Sequence, residues 1–263
     1  MPSLTISIIQ TKLFWEDKKA NMEMLQEKIE SISVKTEVVI LPEMFTTGFS
    51  MKPEIFAEKM DEETMQWMKK ISSERKIILT GSIIIEEDKK YFNRLIWMLP
   101  NGEYGHYDKR HLFAFADEHS HYSPGHKRLI ASVKGWKINL QICYDLRFPV
   151  WTRQAPAESE AKYDLLINVA NWPEKRSTAW KILLQARAIE NQSFVVGVNR
   201  IGEDGNEIYY SGDSMLIDPL GEIIYQKNKE EDIFTFTLEK EKVDEVRKRF
   251  PFWKDADLFI INE

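Results

Sequence analysis

Lys137-Ile138-Asn139-Leu140-Gln141-Ile142-Cys143-Tyr144-Asp145-Leu146-Arg147-Phe148-Pro149 reads as an apolar strand that stops at a thiol. Ile138, Leu140 and Ile142 alternate with Asn139 and Gln141, the period of two expected of a strand with a face in a core. Arg147-Phe148-Pro149 then breaks the chain before a short helix, because a proline disfavours helical backbone in the residue before it. Open α/β sheets place their sites where loops leave the carboxyl ends of strands, so Cys143 marks a position at which such a fold performs chemistry.

Working outward, the same alternation of strand and helix fills the chain. On the C-terminal side, residues 165–169 form a second buried strand and residues 177–191 a helix with Trp180, Leu183, Leu184 and Ala188 inward and Ser177 as N-cap. Strands over 194–199, 208–211, 214–217, 223–226 and 233–238 follow, with a loop at Gly202-Glu203-Asp204-Gly205-Asn206, a turn at Asp218-Pro219-Leu220-Gly221 and a polar helix over 240–249. On the N-terminal side, strands are expected over 4–10, 38–41, 76–84, 91–98 and 103–107, and helices over 19–31 and 62–72. Met22, Leu25 and Ile29 share one face of the first helix, and Met65, Met68 and Ile71 one face of the second. No repeat, linker or low-complexity tract interrupts this pattern. The fold class is therefore α/β, an α+β layered arrangement with mixed strand directions, in a single domain over residues 1–263.

Composition narrows the function classes. The chain has 263 residues, 43% of them hydrophobic, enough to offset the entropy of ordering one large core. Its one cysteine permits no internal disulfide and no Cys₄ or Cys₂His₂ zinc site. With 42 acidic against 36 basic residues and a net charge of −6, it has no general electrostatic attraction for nucleic acid or anionic lipid. The N-terminus has no basic leader ahead of a long apolar run, and no stretch is apolar enough to span a bilayer, so the expectation is a cytoplasmic protein with neither membrane nor nucleic-acid partner.

Two more strand ends carry chemistry. Glu43 follows the apolar run 38–41 and Pro42, and Lys109 follows the strand 103–107. A carboxylate at such a place, partly desolvated, suits a general base. An ammonium near a reacting carbonyl stabilises an oxyanion, and a thiol with a base beside it becomes a nucleophile. Singly, each has a plainer reading: a small buried hydrophobe, a strand-end cap, a solvated lysine. Together they supply the parts for acyl transfer through a thioester.

The blocks Leu41-Pro42-Glu43-Met44-Phe45, Tyr107-Asp108-Lys109-Arg110-His111-Leu112-Phe113 and Ile142-Cys143-Tyr144-Asp145-Leu146-Arg147-Phe148-Pro149 resemble the nitrilase (carbon–nitrogen hydrolase) superfamily, in its Glu–Lys–Cys order. Ala170-Asn171-Trp172-Pro173 and Gln185-Ala186-Arg187-Ala188-Ile189-Glu190-Asn191-Gln192 match it too, and the similarity extends from about residue 8 to residue 221. The resemblance implies a four-layer α-β-β-α sandwich, commonly paired into dimers, that needs no metal or organic cofactor. It makes Glu43 the base, Cys143 the nucleophile, and Lys109 with the Tyr144 N–H the oxyanion site. Glu118, ahead of Ser120-His121-Tyr122-Ser123-Pro124-Gly125, takes the place of the second glutamate that positions Lys109 and water.

Within the superfamily, Asp108-Lys109-Arg110-His111-Leu112-Phe113, Ala116-Asp117-Glu118-His119 and Val169-Ala170-Asn171-Trp172-Pro173 are similar to the omega-amidase branch. That branch hydrolyses the terminal amide of 2-oxoglutaramate and 2-oxosuccinamate. An anionic substrate of this kind would need cations and aromatic walls, for which Arg147, Arg176, Trp172, Phe113 and Tyr122 are candidates beside Tyr144. Arg147 could equally form a structural salt bridge to Asp145, and the aromatics could be core.

Rival readings have their own residues. His106, His111, His119, His121 and His126 fall within 21 positions and could ligate a metal, although their spacing matches no familiar zinc signature. A histidine could instead replace Glu43 as the base for Cys143. The apolar tail Phe250-Pro251-Phe252-Trp253 with Leu258-Phe259-Ile260-Ile261, in the segment 250–263, is expected to contact the second subunit of a homodimer.

Overall fold

In the computed structural model, which describes residues 2–154 and 161–261, the chain opens with β1 (Ser3–Gln10), α1 (Lys18–Glu30) and β2 (Val38–Ile40). It continues through α2 (Pro53–Phe56), α3 (Glu63–Arg75), β3 (Ile78–Glu87), β4 (Lys90–Met98), β5 (Tyr104–Asp108) and α4 (Glu118–His121). Next come β6 (Ile130–Val133), β7 (Trp136–Ile142), α5 (Pro149–Thr152), β8 (Leu165–Ala170) and α6 (Ser177–Asn191). The last elements are β9 (Phe194–Asn199), β10 (Ile201–Glu203), β11 (Tyr209–Ile217), β12 (Ile223–Asn228), β13 (Asp232–Glu239) and α7 (Lys240–Arg249).

Two sheets result. One has the order β13-β1-β2-β3-β4-β5, the other β10-β11-β9-β8-β7-β6 with β12 beside β11. The centre of each is parallel: β1-β2-β3 in the first, β7-β8-β9 in the second. Strands at a parallel centre are covered on both faces, which explains why every residue of β2 and β8 is buried and all but Asn168 are apolar.

Alternation along each strand then sorts its side chains between layers. Ile6, Ile8, Val38, Ile40, Leu95 and Trp97 join Ile138, Leu140 and Ile142 in one cluster that unites the two sheets. The intervening residues Ile9, Val39, Leu41, Ile96 and Met98 pack instead with Leu25 and Ile29 of α1 and Met65, Met68 and Ile71 of α3. On the second sheet the cover is α6, through Trp180, Leu184 and Ala188. Helix, sheet, sheet, helix is thus the layer order, the α-β-β-α sandwich expected of the sequence.

Several local expectations are corrected. Ser177 is the first residue of α6, not its N-cap, and its hydroxyl donates to Asp213 Oδ2 at 2.6 Å. The strands read over 208–211 and 214–217 are one strand, β11, in which Gly212 and Asp213 take φ of 76° and 57° and shift the register. Helix α3 runs on to Arg75 and ends on Lys76 at φ 56°, so the following strand starts two residues later than read. The tail partly folds back on its own domain: Trp253 is buried and Ile261 packs on the main core, while Phe252, Leu258 and Ile260 stay exposed. Residues 262–263 of that segment lie outside the described residues. Among those described, no helix is long and apolar enough to cross a membrane.

Candidate active site

The inner layers bring the strand ends of both sheets together. Glu43 follows β2, Asn93 lies on β4, Lys109 follows β5 and Glu118 opens α4; Cys143 follows β7 and Asn171 follows β8. Every one of these side chains is at least nine-tenths buried.

Lys109 Nζ donates to Glu43 Oε1 at 2.8 Å and to both oxygens of Glu118 at 2.9 Å. Asn93 Nδ2 donates to Glu43 Oε1 at 2.8 Å and to Glu118 Oε1 at 3.4 Å. Asn171 holds the other edge of Glu43: its backbone N–H donates to Oε2 at 2.7 Å, and its Nδ2 to the Glu43 carbonyl at 2.6 Å. The Phe113 N–H donates to Glu118 Oε2 at 2.6 Å.

Two carboxylates and one ammonium leave this group one negative charge in excess, and protonation follows from that. Burial alone would lower the proton affinity of Lys109, but Glu118 and Glu43 outweigh it and hold the ammonium above its ordinary value. Burial also raises the Glu118 carboxyl, opposed by Lys109 and reinforced by Glu43. The Cys143 thiol is pushed well up, first by burial and then by Glu43, with Lys109 opposing. Raised in this way beside a carboxylate, the thiol favours its protonated form, so any attack by it would require proton transfer as the bond forms.

Cys143 stands at φ 42°, a left-handed backbone that L-residues adopt at a cost of roughly 1–3 kcal/mol. Asp145 pins this sharp strand-to-turn junction from beneath. Its Oδ2 accepts from the Ile142 N–H at 3.1 Å and from Tyr107 Oη at 2.7 Å, and its Oδ1 accepts from the His111 N–H at 3.0 Å. The side chain of Tyr144 follows at the N-terminal end of a 3₁₀ turn over Cys143–Arg147, where backbone N–H groups precede the first intrahelical acceptor.

A cavity opens above Cys143, lined also by Phe49, Phe113, Tyr144, Arg147, Asn171, Trp172, Arg176 and Tyr210. The Arg147 guanidinium lies 4.9 Å from the Trp172 ring centroid and that of Arg176 lies 5.0 Å from the Phe113 ring. Neither arginine forms a salt bridge with a described carboxylate. The alternative of an Arg147–Asp145 bridge is therefore not realised, since Asp145 is occupied as above.

Of the residues singled out in the sequence, Glu43, Lys109, Glu118 and Cys143 come together, and Tyr144, Arg147, Trp172, Arg176 and Phe113 line the cavity over them. Tyr122 does not line it. It is buried against Met44 and Ile84, with its hydroxyl donating to the Ser50 carbonyl at 2.6 Å. Nearness in the chain put it on the candidate set, while its side chain supports the loop beneath. The histidines disperse: His111 Nδ1 is 2.8 Å from Asp145 and its ring stacks on Phe148, while His119 and His121 stand 3.9 Å from Asp117. Among the described residues no three metal-ligating side chains converge, and His111 faces Asp145 rather than the thiol. Sequence reading missed Asn93, Phe49 and Tyr210. Asn93 had a signal, a polar residue within a strand, where asparagine is depleted.

The chain belongs to the carbon–nitrogen hydrolase family, whose model matches residues 5–248. Among its relatives, omega-amidase YafV of Escherichia coli K12 is 42% identical over 260 residues, covering 98% of this chain and 99% of that protein. The 2-oxoglutaramate amidase of Bacillus subtilis is 32% identical over 255 residues, covering 95% and 96%. Among solved structures, XC1258 of Xanthomonas campestris, a CN-hydrolase superfamily protein with an arsenic adduct in its active site, superposes with a TM-score of 0.97 at 42% identity, over 100% of both chains.

Proposed function

We propose that this amidohydrolase is an omega-amidase that removes the terminal amide of small anionic 2-oxo acid amides, 2-oxoglutaramate and 2-oxosuccinamate, as ammonia. The observation that carries this reading is the buried Glu43–Lys109–Glu118 cluster beside Cys143, opening into a cavity where Arg147 and Arg176 have no carboxylate partner among the described residues. The first group is machinery for amide cleavage; the arginines suit a substrate with a carboxylate at its far end.

In this mechanism Cys143 Sγ attacks the amide carbon while Glu43 takes the thiol proton. The carbonyl oxygen becomes an oxyanion held by Lys109 Nζ and the Tyr144 N–H. All three Lys109 N–H groups already serve carboxylates. Protonation of Glu43 weakens its hold on Lys109 and turns one of these donors toward the oxyanion. The intermediate collapses as Glu43 returns the proton to the departing nitrogen, releasing ammonia and leaving a thioester. Water, deprotonated by Glu43, attacks the thioester through a second oxyanion, and the thiol leaves with the proton. Glu118, which accepts from Lys109 through both oxygens, positions it. Trp172, Phe113 and Tyr144 form the walls, and no cofactor has a step.

Ammonia release measured across 2-oxoglutaramate, 2-oxosuccinamate, glutamine, uncharged amides, nitriles and N-carbamoyl amino acids tests the reading. The highest kcat/KM is expected for the first two; a clear preference for nitriles or carbamoyl compounds overturns it. The same reading places the enzyme in the cytoplasm, where a free thiol stays reduced, and makes it a homodimer. Exposed Phe252, Leu258 and Ile260 on the tail support the dimer. Sedimentation as a monomer at micromolar concentration counts against it.

A further inference from the structure

A carboxylate has about four lone-pair positions, two on each oxygen, and the two glutamates of the cluster fill theirs differently. Glu118 is saturated: Oε1 accepts from Lys109 and Asn93, and Oε2 from Lys109 and the Phe113 N–H. On Glu43, Oε1 is equally full, accepting from Lys109 and Asn93 at 2.8 Å each, while Oε2 accepts only the Asn171 N–H. One lone pair in the pair of carboxylates remains open, on Glu43 Oε2.

We infer that Asn93 is a positioning residue of the catalytic machinery. By donating one N–H to each glutamate it closes Oε1 of both and leaves Glu43 Oε2 as the single basic site for the Cys143 proton. The orientation of its amide is fixed, because turning it over would set its oxygen against two carboxylates. Its position is fixed too: the Asn93 carbonyl accepts from the Lys109 N–H at 3.0 Å, so one residue sets both the main chain of the lysine and the carboxylates it serves. Asn93 Oδ1 is buried with no partner among the described residues, a cost with no structural return if packing were the residue's task. The inference rests on Glu43 being the base for Cys143.

Without the Asn93 amide, Oε1 of each carboxylate regains a lone pair and both carboxylates lose a donor that favours the ionised form. The charged and titratable groups that face Glu43 are Lys109, Glu118 and Cys143, with Tyr122 and Tyr210 behind them. None of these changes in an Asn93 variant, so a shift in pH dependence reports the amide itself.

The experiment compares Asn93→Leu and Asn93→Ser with the intact protein in two readouts: alkylation of Cys143 by iodoacetamide across pH, and kcat and KM for the preferred amide. Asn93→Leu is expected to lower kcat about 10- to 100-fold with KM changed less than about threefold, and to move the acid limb of the alkylation profile up by about one pH unit. Asn93→Ser, which can donate to one carboxylate only, is expected to fall between. Folded variants with kcat and acid limb both unchanged overturn the role of Asn93. So does a loss that follows the folded fraction alone, with the limb in place. If the intact protein itself shows no acid limb lost in Glu43→Gln, the assignment of Glu43 as base fails and the inference with it. Alkylation needs no amide substrate, so a wrong omega-amidase assignment leaves this readout intact.

Discussion

At the scale of single residues, substitutions can tell apart the roles proposed for Cys143 and Glu43. Cys143→Ala removes only a sulfur at a site where the backbone is already held by Asp145, so the protein is expected to fold and to lose all amide hydrolysis. Normal far-UV circular dichroism with residual turnover would refute the nucleophile. Glu43→Gln keeps the shape but cannot take a proton, and its amide nitrogen replaces one oxygen that accepts from Lys109, Asn93 or Asn171; its expected loss in the folded variant is about 10²- to 10⁴-fold in kcat, the usual worth of a general base. A histidine base would leave that variant near normal, but His111 is committed to Asp145. The sequence made Glu43 and Cys143 legible because each ends an apolar run, where a polar group is conspicuous, whereas Lys109 follows a mixed strand and stands out only beside those two and the family motif. Asn93 was not legible in that way. It sits inside β4, where alternation predicts only a face, and its task depends on two glutamates from elements 50 and 25 positions away.

At the scale of elements, the site depends on how β7 ends. Asp145 receives four backbone or side-chain donors and is fully buried, so Asp145→Asn forces an amide N–H toward at least one of them. The expected cost is about 1–3 kcal/mol of stability, the penalty for a buried unpaired polar group. Denaturant midpoints measure it, and an unchanged midpoint would show that the junction holds itself. Packing of α6 on β9 is equally specific. A Cβ on Gly197 would come within 2.4 Å of Leu184 and 2.7 Å of Trp180, so Gly197→Ala is expected to destabilise by about 1–3 kcal/mol, read as a lower Tm. Helix faces and parallel strands were legible because periods of 3.6 and 2 are local. The bulge that makes β11 one strand was not, because Gly212-Asp213 in sequence looks like a turn. What keeps the strand continuous is nonlocal, the donors from Ser177, Ser211, Gln226 and Asn228 that surround Asp213.

At the scale of the whole molecule, charge is the deciding quantity. The chain carries a net −6, so an anionic substrate gains nothing from the mean field and must be bound by local cations. Lys109 cannot supply that charge at rest, because two carboxylates enclose it. Arg147 and Arg176 remain, over the rings of Trp172 and Phe113 in the lining of the cavity. Stacking leaves the guanidinium edges free for a carboxylate, the geometry in which arginine outperforms lysine. Arg147→Met and Arg176→Met are therefore expected to discriminate between substrates rather than to impair chemistry. For 2-oxoglutaramate, kcat/KM should fall about 10- to 100-fold in whichever variant loses the carboxylate contact, carried mainly by KM. For an uncharged amide of similar length it should change less than about threefold. Equal losses on both substrates would mean that the arginines build the cavity walls through their aromatic contacts, and that the anion is bound elsewhere.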